Sequence, residues 1–195
     1  MPVLPLEPFV FPESLFEATG TSGPETGRWW VLQTRPRMEK CVARKLLRAN
    51  VPFFLPLYSR RWRTQGRWVC SHMPLFTGYL FLHGQSEARL AALQTNLVAL
   101  CLHVEDQPQL QKDLERVYRL ITSGTALTPE DRLQVGDWVQ IAGGPLEGME
   151  GKIIRQGNKL RFCVEVKLLQ RGVSVDIDRS MLRAATRTQQ QLQNC

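Results

Sequence analysis

Helical spacing of the apolar residues occurs only in the front part of this chain, and its disappearance limits the folds open to it. In the front half Leu110, Leu114, Val117 and Ile121 step by four, three and four, the interval that lines one face of an α-helix. In the back half Leu160, Phe162, Val164, Val166 and Leu168 alternate with Arg161, Cys163, Glu165 and Lys167, and Val173, Val175 and Ile177 repeat the pattern. That is the two-residue period of a strand with one buried face. Between the two regimes "SGTALTPEDRLQ" is polar and carries Pro129, which predicts a linker over residues 123–132. The 195 residues therefore suit two modest cores.

The front half reads element by element. "RWWVLQT" is dense in aromatic and β-branched residues and predicts a buried strand. Met38, Val42, Leu46 and Ala49 then recur at helical spacing, with Pro36 at the first turn, Glu39 near the positive end of the helix dipole and Asn50 as the stop. Gln65-Gly66, between two Arg/Trp runs, marks a hairpin tip, and "GYLFLHG" is a further strand. "SEARLAALQTN" is a short helix striped by Leu90 and Leu93. In "VALCLHV" the residues Val98, Leu100, Leu102 and Val104 share one face, and Gly124 caps the last helix. The order β-α-β-β-α-β-α predicts an α+β fold, and the glycine-punctuated short strands beyond the linker predict a small all-β barrel.

Charge is uneven. The net charge is +7, yet residues 28–83 hold eleven Lys/Arg against Glu39 alone, a local +10. Such a block is the footprint of a surface that meets phosphate, or of a solvated basic face. Residues 1–27 carry four acids, no base and five prolines, which predicts a mobile arm and not a signal peptide. No run approaches the about 18 apolar residues of a membrane span. Five widely spaced cysteines without a C-x-x-C pair argue against a disulfide framework and against zinc, and point to a reducing cytoplasm. His72, His83 and His103 are scattered, with neither spaced carboxylates nor a paired nucleophile, so no enzyme, cofactor or metal is expected.

"AGGPLEGMEGK" is the remaining motif. A phosphate loop of the Walker type would need a serine or threonine after Gly151-Lys152, where Ile153 stands, and a glycine where Leu146 stands. No helix pattern follows, so the dinucleotide fingerprint fails as well. "KIIR" reads as a strand, and the glycines are turn residues. In this setting "VGDWVQIAGGPLEGMEGKIIR" resembles the KOW motif of the NusG family of transcription elongation factors, on Gly136, Gly144, Pro145, Gly148 and Gly151. "WWVLQTRPRMEKCVARKL" and "PLFTGYLF" are similar to the two signature stretches of that family's amino-terminal domain. The "LQTNLVALCLHVEDQPQ" region looks like the specialised RfaH and UpxY paralogues. Two departures stand out: Thr77 occupies a position that is usually proline, and "EARLAAL" lacks the His-Thr-Thr element of RfaH.

The resemblance implies a NusG-type domain over residues 28–122, with an antiparallel sheet flanked by helices. It also implies an SH3-like KOW barrel over 133–185 and a tail over 186–195. It implies that Phe76, Tyr79 and Phe81, with Leu75 and Leu32, form an apolar patch for the clamp helices of RNA polymerase's largest subunit. Arg35 and Arg37, then Thr95 and Asn96, would face non-template DNA or nascent RNA. In the hairpin Arg60, Arg61, Arg63 and Arg67 interleave with Trp62 and Trp68, a composition suited to backbone contacts and base stacking, or to a tip of solvated arginines. The barrel would recruit a small-subunit ribosomal protein or Rho through Ile153 and Leu168. The expected function is elongation and antitermination by a monomer. The competing class is a KOW-containing, ribosome-associated RNA-binding protein.

Overall fold

The computed structural model describes residues 8–17, 27–64, 66–130, 136–156 and 159–184. The chain divides into two compact units, Met1–Ile121 and Thr122–Cys195.

In the first unit a five-stranded antiparallel sheet is built from β1 (Val10–Phe11), β2 (Arg28–Thr34), β3 (Phe53–Phe54), β6 (Tyr79–Gly84) and β7 (Val98–Leu102), in the order β1-β3-β6-β2-β7. Strands β4 (Leu57–Thr64) and β5 (Arg67–Pro74) form a separate two-stranded ribbon. Alternation along β2 explains the layers. Leu32 pairs with Leu80 and faces α1 (Glu39–Arg48) and α2 (Ser86–Leu93), sharing a core with Val42, Leu46 and Ala92. Val31 pairs with Phe81 on the other face, where Phe54 meets Tyr118 of α3 (Gln107–Thr122) edge to face at 6.1 Å. The start of α3 is clamped to β2 by one side chain: the Trp29 amide donates to Gln107 Oε1 at 2.7 Å, and Gln107 Nε2 donates to the Trp29 carbonyl at 3.0 Å.

Helix α1 begins at Glu39, so Pro36 lies in the preceding turn and not in the first helical turn. Arg37 takes φ 63° there, which breaks the helical path before Met38. Asn50 does stop the helix, at φ 53°, and Gly124 follows α3 at φ 72°.

The expected mobile arm fails for residues 8–17. Val10 and Phe11 pair with Phe54 and Phe53, and the Leu55 amide donates to the Phe9 carbonyl at 2.6 Å. Leu15 is buried, while Phe16 lies 4.8 Å from Tyr118 and 5.0 Å from Phe54. The prolines rule out a long helix, but they leave Phe9, Val10, Phe11, Leu15 and Phe16 able to cover the edge of β3 and the end of α3. The remainder of that expectation, residues 1–7 and 18–26, lies outside the described residues.

The second unit is a six-stranded antiparallel sheet of β8 (Thr128–Glu130), β9 (Asp137–Ile141), β10 (Glu150–Gln156), β11 (Lys159–Val166), β12 (Arg171–Asp176) and β13 (Leu182–Ala184). The order is β13-β9-β10-β11-β12-β8. Phe162, Val164 and Val166 are buried as the alternation requires, but Arg161 and Cys163 of the opposite parity are buried too. Arg161 is held by Glu130 at 3.6 Å and Asp176 at 3.4 Å, and the Ser174 hydroxyl donates to Glu130 at 2.6 Å. Part of the expected linker therefore belongs to the sheet. Pro129 is tolerated because β8 is an edge strand with a side that needs no donor. Residues 131–132 of the linker, and 186–195, lie outside the described set.

Candidate functional surfaces

The turn before β6 is held from below. Glu39 is almost fully buried, and its Oε1 accepts from the Gly78 amide at 2.7 Å. The Thr34 amide donates to the Gly78 carbonyl at 2.8 Å, and Tyr79 donates to Phe76 at 3.0 Å. The turn is therefore tied to both β2 and α1, with Thr77 exposed at its tip. Gly78 sits at φ 85°, a conformation that suits glycine. The sequence alone places Glu39 at the helix dipole; its bond to Gly78 arises only in the folded chain, because residue 78 is distant in the sequence.

The apolar patch expected from Leu32, Leu75, Phe76, Tyr79 and Phe81 needs correction as an exposed surface. Leu32, Leu75, Phe76 and Phe81 are each at most 3% exposed. Phe76 meets Phe81 edge-on at 6.1 Å within the α3-side layer, and Leu32 faces α1. A side chain sealed in the core has no surface to offer a partner. Tyr79 alone of the five is half-buried. Gln33 pairs with Tyr79 on one side and with Leu100 on the other, so the three form a row across the sheet, and Leu100 is 52% exposed.

Leu100 was expected beside Val98 on one core-facing side. The β2–β7 register instead slips between Gln33 and Thr34, and Ala99 is left as the extra residue. A one-residue bulge turns the side chains on either side of it to opposite faces. Val98 therefore joins the α1-side core while Leu100 stays on the α3 side.

A basic surface lies at the same end. Arg35 and Arg37 are exposed, and the Arg35 amide donates to the Leu97 carbonyl at 2.9 Å. Lys45 Nζ donates to the Thr95 carbonyl at 3.1 Å. The loop after α2 is thus tied both to the end of β2 and to the last turn of α1, which brings Arg35, Thr95 and Asn96 together with Lys45. Asn96 is exposed at φ 58°. The Thr95 hydroxyl is occupied within the loop: it donates to the Ala92 carbonyl at 2.7 Å and accepts from the Leu97 amide at 3.3 Å. Because Glu39 is buried, the exposed charges of α1 are Arg44, Lys45 and Arg48 only.

On the ribbon, Arg63 pairs with Trp68 and Arg61 with Cys70, while Trp62 pairs with Val69 and Arg60 with Ser71. Register therefore sorts the four arginines: Arg61 and Arg63 share a face with Trp68, whereas Arg60 and Arg67 share the other with Trp62. Gly66 sits at φ 76° in the tip, and Gln65 lies outside the described residues.

In the second unit Gly144 and Gly148 adopt φ of 84° and 78°, and the chain reverses between β9 and β10. Gly151 is constrained differently. A Cβ there would lie 2.6 Å from both the Cys163 carbonyl and the Phe162 ring. Leu168 is 40% exposed past the far end of β11, while half-buried Ile153 lines an open groove of about 680 Å³ with Trp138, Leu160, Leu182, Arg179 and Arg183. The structure does not bring Ile153 and Leu168 into one patch.

Burial pushes the Cys163 thiol up to about 12, with Glu165 and Glu130 adding to the shift, so it is held as an inert thiol. Burial also lowers the His83 imidazole from its ordinary 6.5, partly opposed by a backbone bond to Gly27. Among the described residues no helix is long and apolar enough to cross a membrane.

No curated protein matches the chain. The family model described as "Transcription termination factor nusG" matches residues 27–130. That span runs from the residue before β2, through the Tyr79–Gln33–Leu100 row, the ribbon and the basic cluster, to β8, and covers more than half of the chain. By that match, and with an antiparallel sheet and helices of the kind its signatures imply, the chain belongs to the NusG family of transcription elongation and termination factors.

Proposed function

We propose that this chain is an operon-specific elongation and antitermination factor, which holds RNA polymerase by the α3 side of its sheet and touches the transcription bubble with the basic cluster of Arg35, Arg37 and Lys45. Members of the family generally bind RNA polymerase. One observation carries the finer reading. Gln33 belongs to the Tyr79–Gln33–Leu100 row and Arg35, two residues on, belongs to the basic cluster, so two surfaces of different chemistry adjoin at one end of one sheet.

The Tyr79–Gln33–Leu100 row suits the clamp helices of the largest subunit, with Tyr79 as an aromatic anchor and Leu100 as an exposed apolar contact. Arg35, Arg37, Lys45 and Asn96 suit the phosphates of non-template DNA or nascent RNA, where arginine and lysine release counterions. A protein that bridges enzyme and template favours the elongating state over the paused one through differential binding, with no catalytic step of its own. The second unit then serves as a KOW module for a small-subunit ribosomal protein or Rho, through Leu168 or the Ile153 groove. The chain works in the cytoplasm as a monomer.

The test is capture of core RNA polymerase by the tagged full chain, comparing wild type with Tyr79→Ala and Leu100→Ala. Tyr79→Ala is expected to weaken capture by about ten-fold or more, in line with the loss of an aromatic anchor. Undiminished capture by both folded variants would refute this surface.

A further inference from the structure

Ribbon β4–β5 has two faces of different character. Tyr58, Trp62, Val69 and Met73 lie on one, and Trp62 sits directly opposite Val69, leaving the indole 39% exposed. Trp68 lies on the other and is 74% exposed, the most exposed large apolar side chain among the described residues. Arg63 stands directly across the ribbon from it, and Arg61 is its diagonal neighbour. Arg61 and Arg63 are two residues apart on one strand, roughly 6.6 Å at strand rise. No acidic residue occurs anywhere in β4 or β5. Among the described residues none of these three side chains makes a side-chain hydrogen bond or ion pair.

We propose that the ribbon face formed by Trp68, Arg61 and Arg63 is a single-strand nucleic-acid site, in which an unpaired base stacks on the Trp68 indole and the two guanidiniums hold the flanking phosphates. An indole left largely in water among cations is a poor core residue, but it is a ready platform for a π-face of any sequence. A duplex groove presents base edges and phosphates, which would use the arginines and leave the ring idle. An unstacked base uses both. The inference rests on the reading that this unit works beside an open bubble, where such bases occur. It also narrows the hairpin arginines to two: Arg60 and Arg67 point to the Trp62 face and contribute only general charge.

The experiment is fluorescence anisotropy of labelled (dT)12, and of its duplex with (dA)12, against the full chain without polymerase at several salt concentrations. Trp68→Ala is expected to raise Kd for (dT)12 about five-fold or more while leaving the salt slope unchanged, because stacking releases no counterions. Trp68→Phe should restore most of the affinity. Arg63→Gln should lower the slope by about 0.7, the value for one single-strand phosphate contact. Equal losses in Trp68→Ala and Trp62→Ala, a Trp68→Ala loss as large on duplex as on (dT)12, or no binding of (dT)12 by wild type would each overturn the proposal. Wild type that binds no (dT)12 yet captures core polymerase would sink this site alone, whereas retained (dT)12 binding with no capture would sink the polymerase reading alone.

Discussion

Phe76 and Leu100 lie on the same side of the sheet, and truncating them should differ in what it does to stability. Phe76 is 1% exposed and sits edge-on to Phe81, so Phe76→Ala removes a fully enclosed ring. Phenylalanine-to-alanine changes in a core cost about 3–5 kcal/mol through lost transfer free energy and the cavity left behind. Domains of this size hold about 5–15 kcal/mol in all, so much of the first unit's stability would go. At about 4 °C or more per kcal/mol, its melting point should fall by roughly 10 °C or more.

Leu100 is 52% exposed, and Leu100→Ala should leave stability within about 0.5 kcal/mol, since it opens no cavity. Helices α1, α2 and α3 all arise from the first unit, so circular dichroism at the helical band during thermal melting of the full chain follows that unit. Polymerase capture is then measured well below both transitions. Phe76→Ala is expected to lose capture along with stability, and Leu100→Ala to lose capture without it. A Phe76→Ala protein melting within about 3 °C of wild type would show that the ring is not enclosed. The same conclusion about Leu100 would be reversed if its truncation destabilised as much as that of Phe76.

Three further outcomes follow from the geometry. Glu39→Ala should lower the stability of the first unit by about 1.5–3 kcal/mol in urea, the range for a hydrogen bond to a charged group, with Glu39→Gln recovering part of it by keeping an acceptor for Gly78. Gly151→Ala should destabilise the second unit by about 1–3 kcal/mol or more, because its methyl meets the Cys163 carbonyl and the Phe162 ring at 2.6 Å; a folded second unit of unchanged stability would contradict that contact. His83 has a folded value below its unfolded 6.5, so its neutral form favours the fold: the stability it confers is complete above about pH 6.5 and declines as pH falls below it. Denaturation of wild type and His83→Gln across that window should show a shallower acid decline in the variant.

Much of the candidate site was hidden from a linear reading for one recurring reason. Leu75, Phe76 and Phe81 are apolar residues in and beside a strand, and composition is the same whether such residues line a core or a docking surface. Only the ring of Phe81 beneath Phe76, and α3 over the same face, decide that they are inside. Leu100 failed in the opposite sense. Period-two counting assumes an unbroken ladder, and the bulge at Ala99 inverts the assignment beyond it. The arm of residues 8–17 was obscured by its prolines, which exclude a helix but not an edge pairing.

What the sequence alone determined is the division into an α+β unit and a β unit, the glycine reversal between β9 and β10, and the concentration of positive charge in residues 28–83. These are local quantities: a period, a backbone preference and a count, each set within a few residues. Tertiary structure decided which strand borders which, and therefore which residues share a face. The row Tyr79–Gln33–Leu100, the Glu39 bond to Gly78, and the sorting of Arg61 and Arg63 from Arg60 all depend on residues brought together across the chain. Exposure is a property of what covers a side chain, and the covering element lies elsewhere in the sequence.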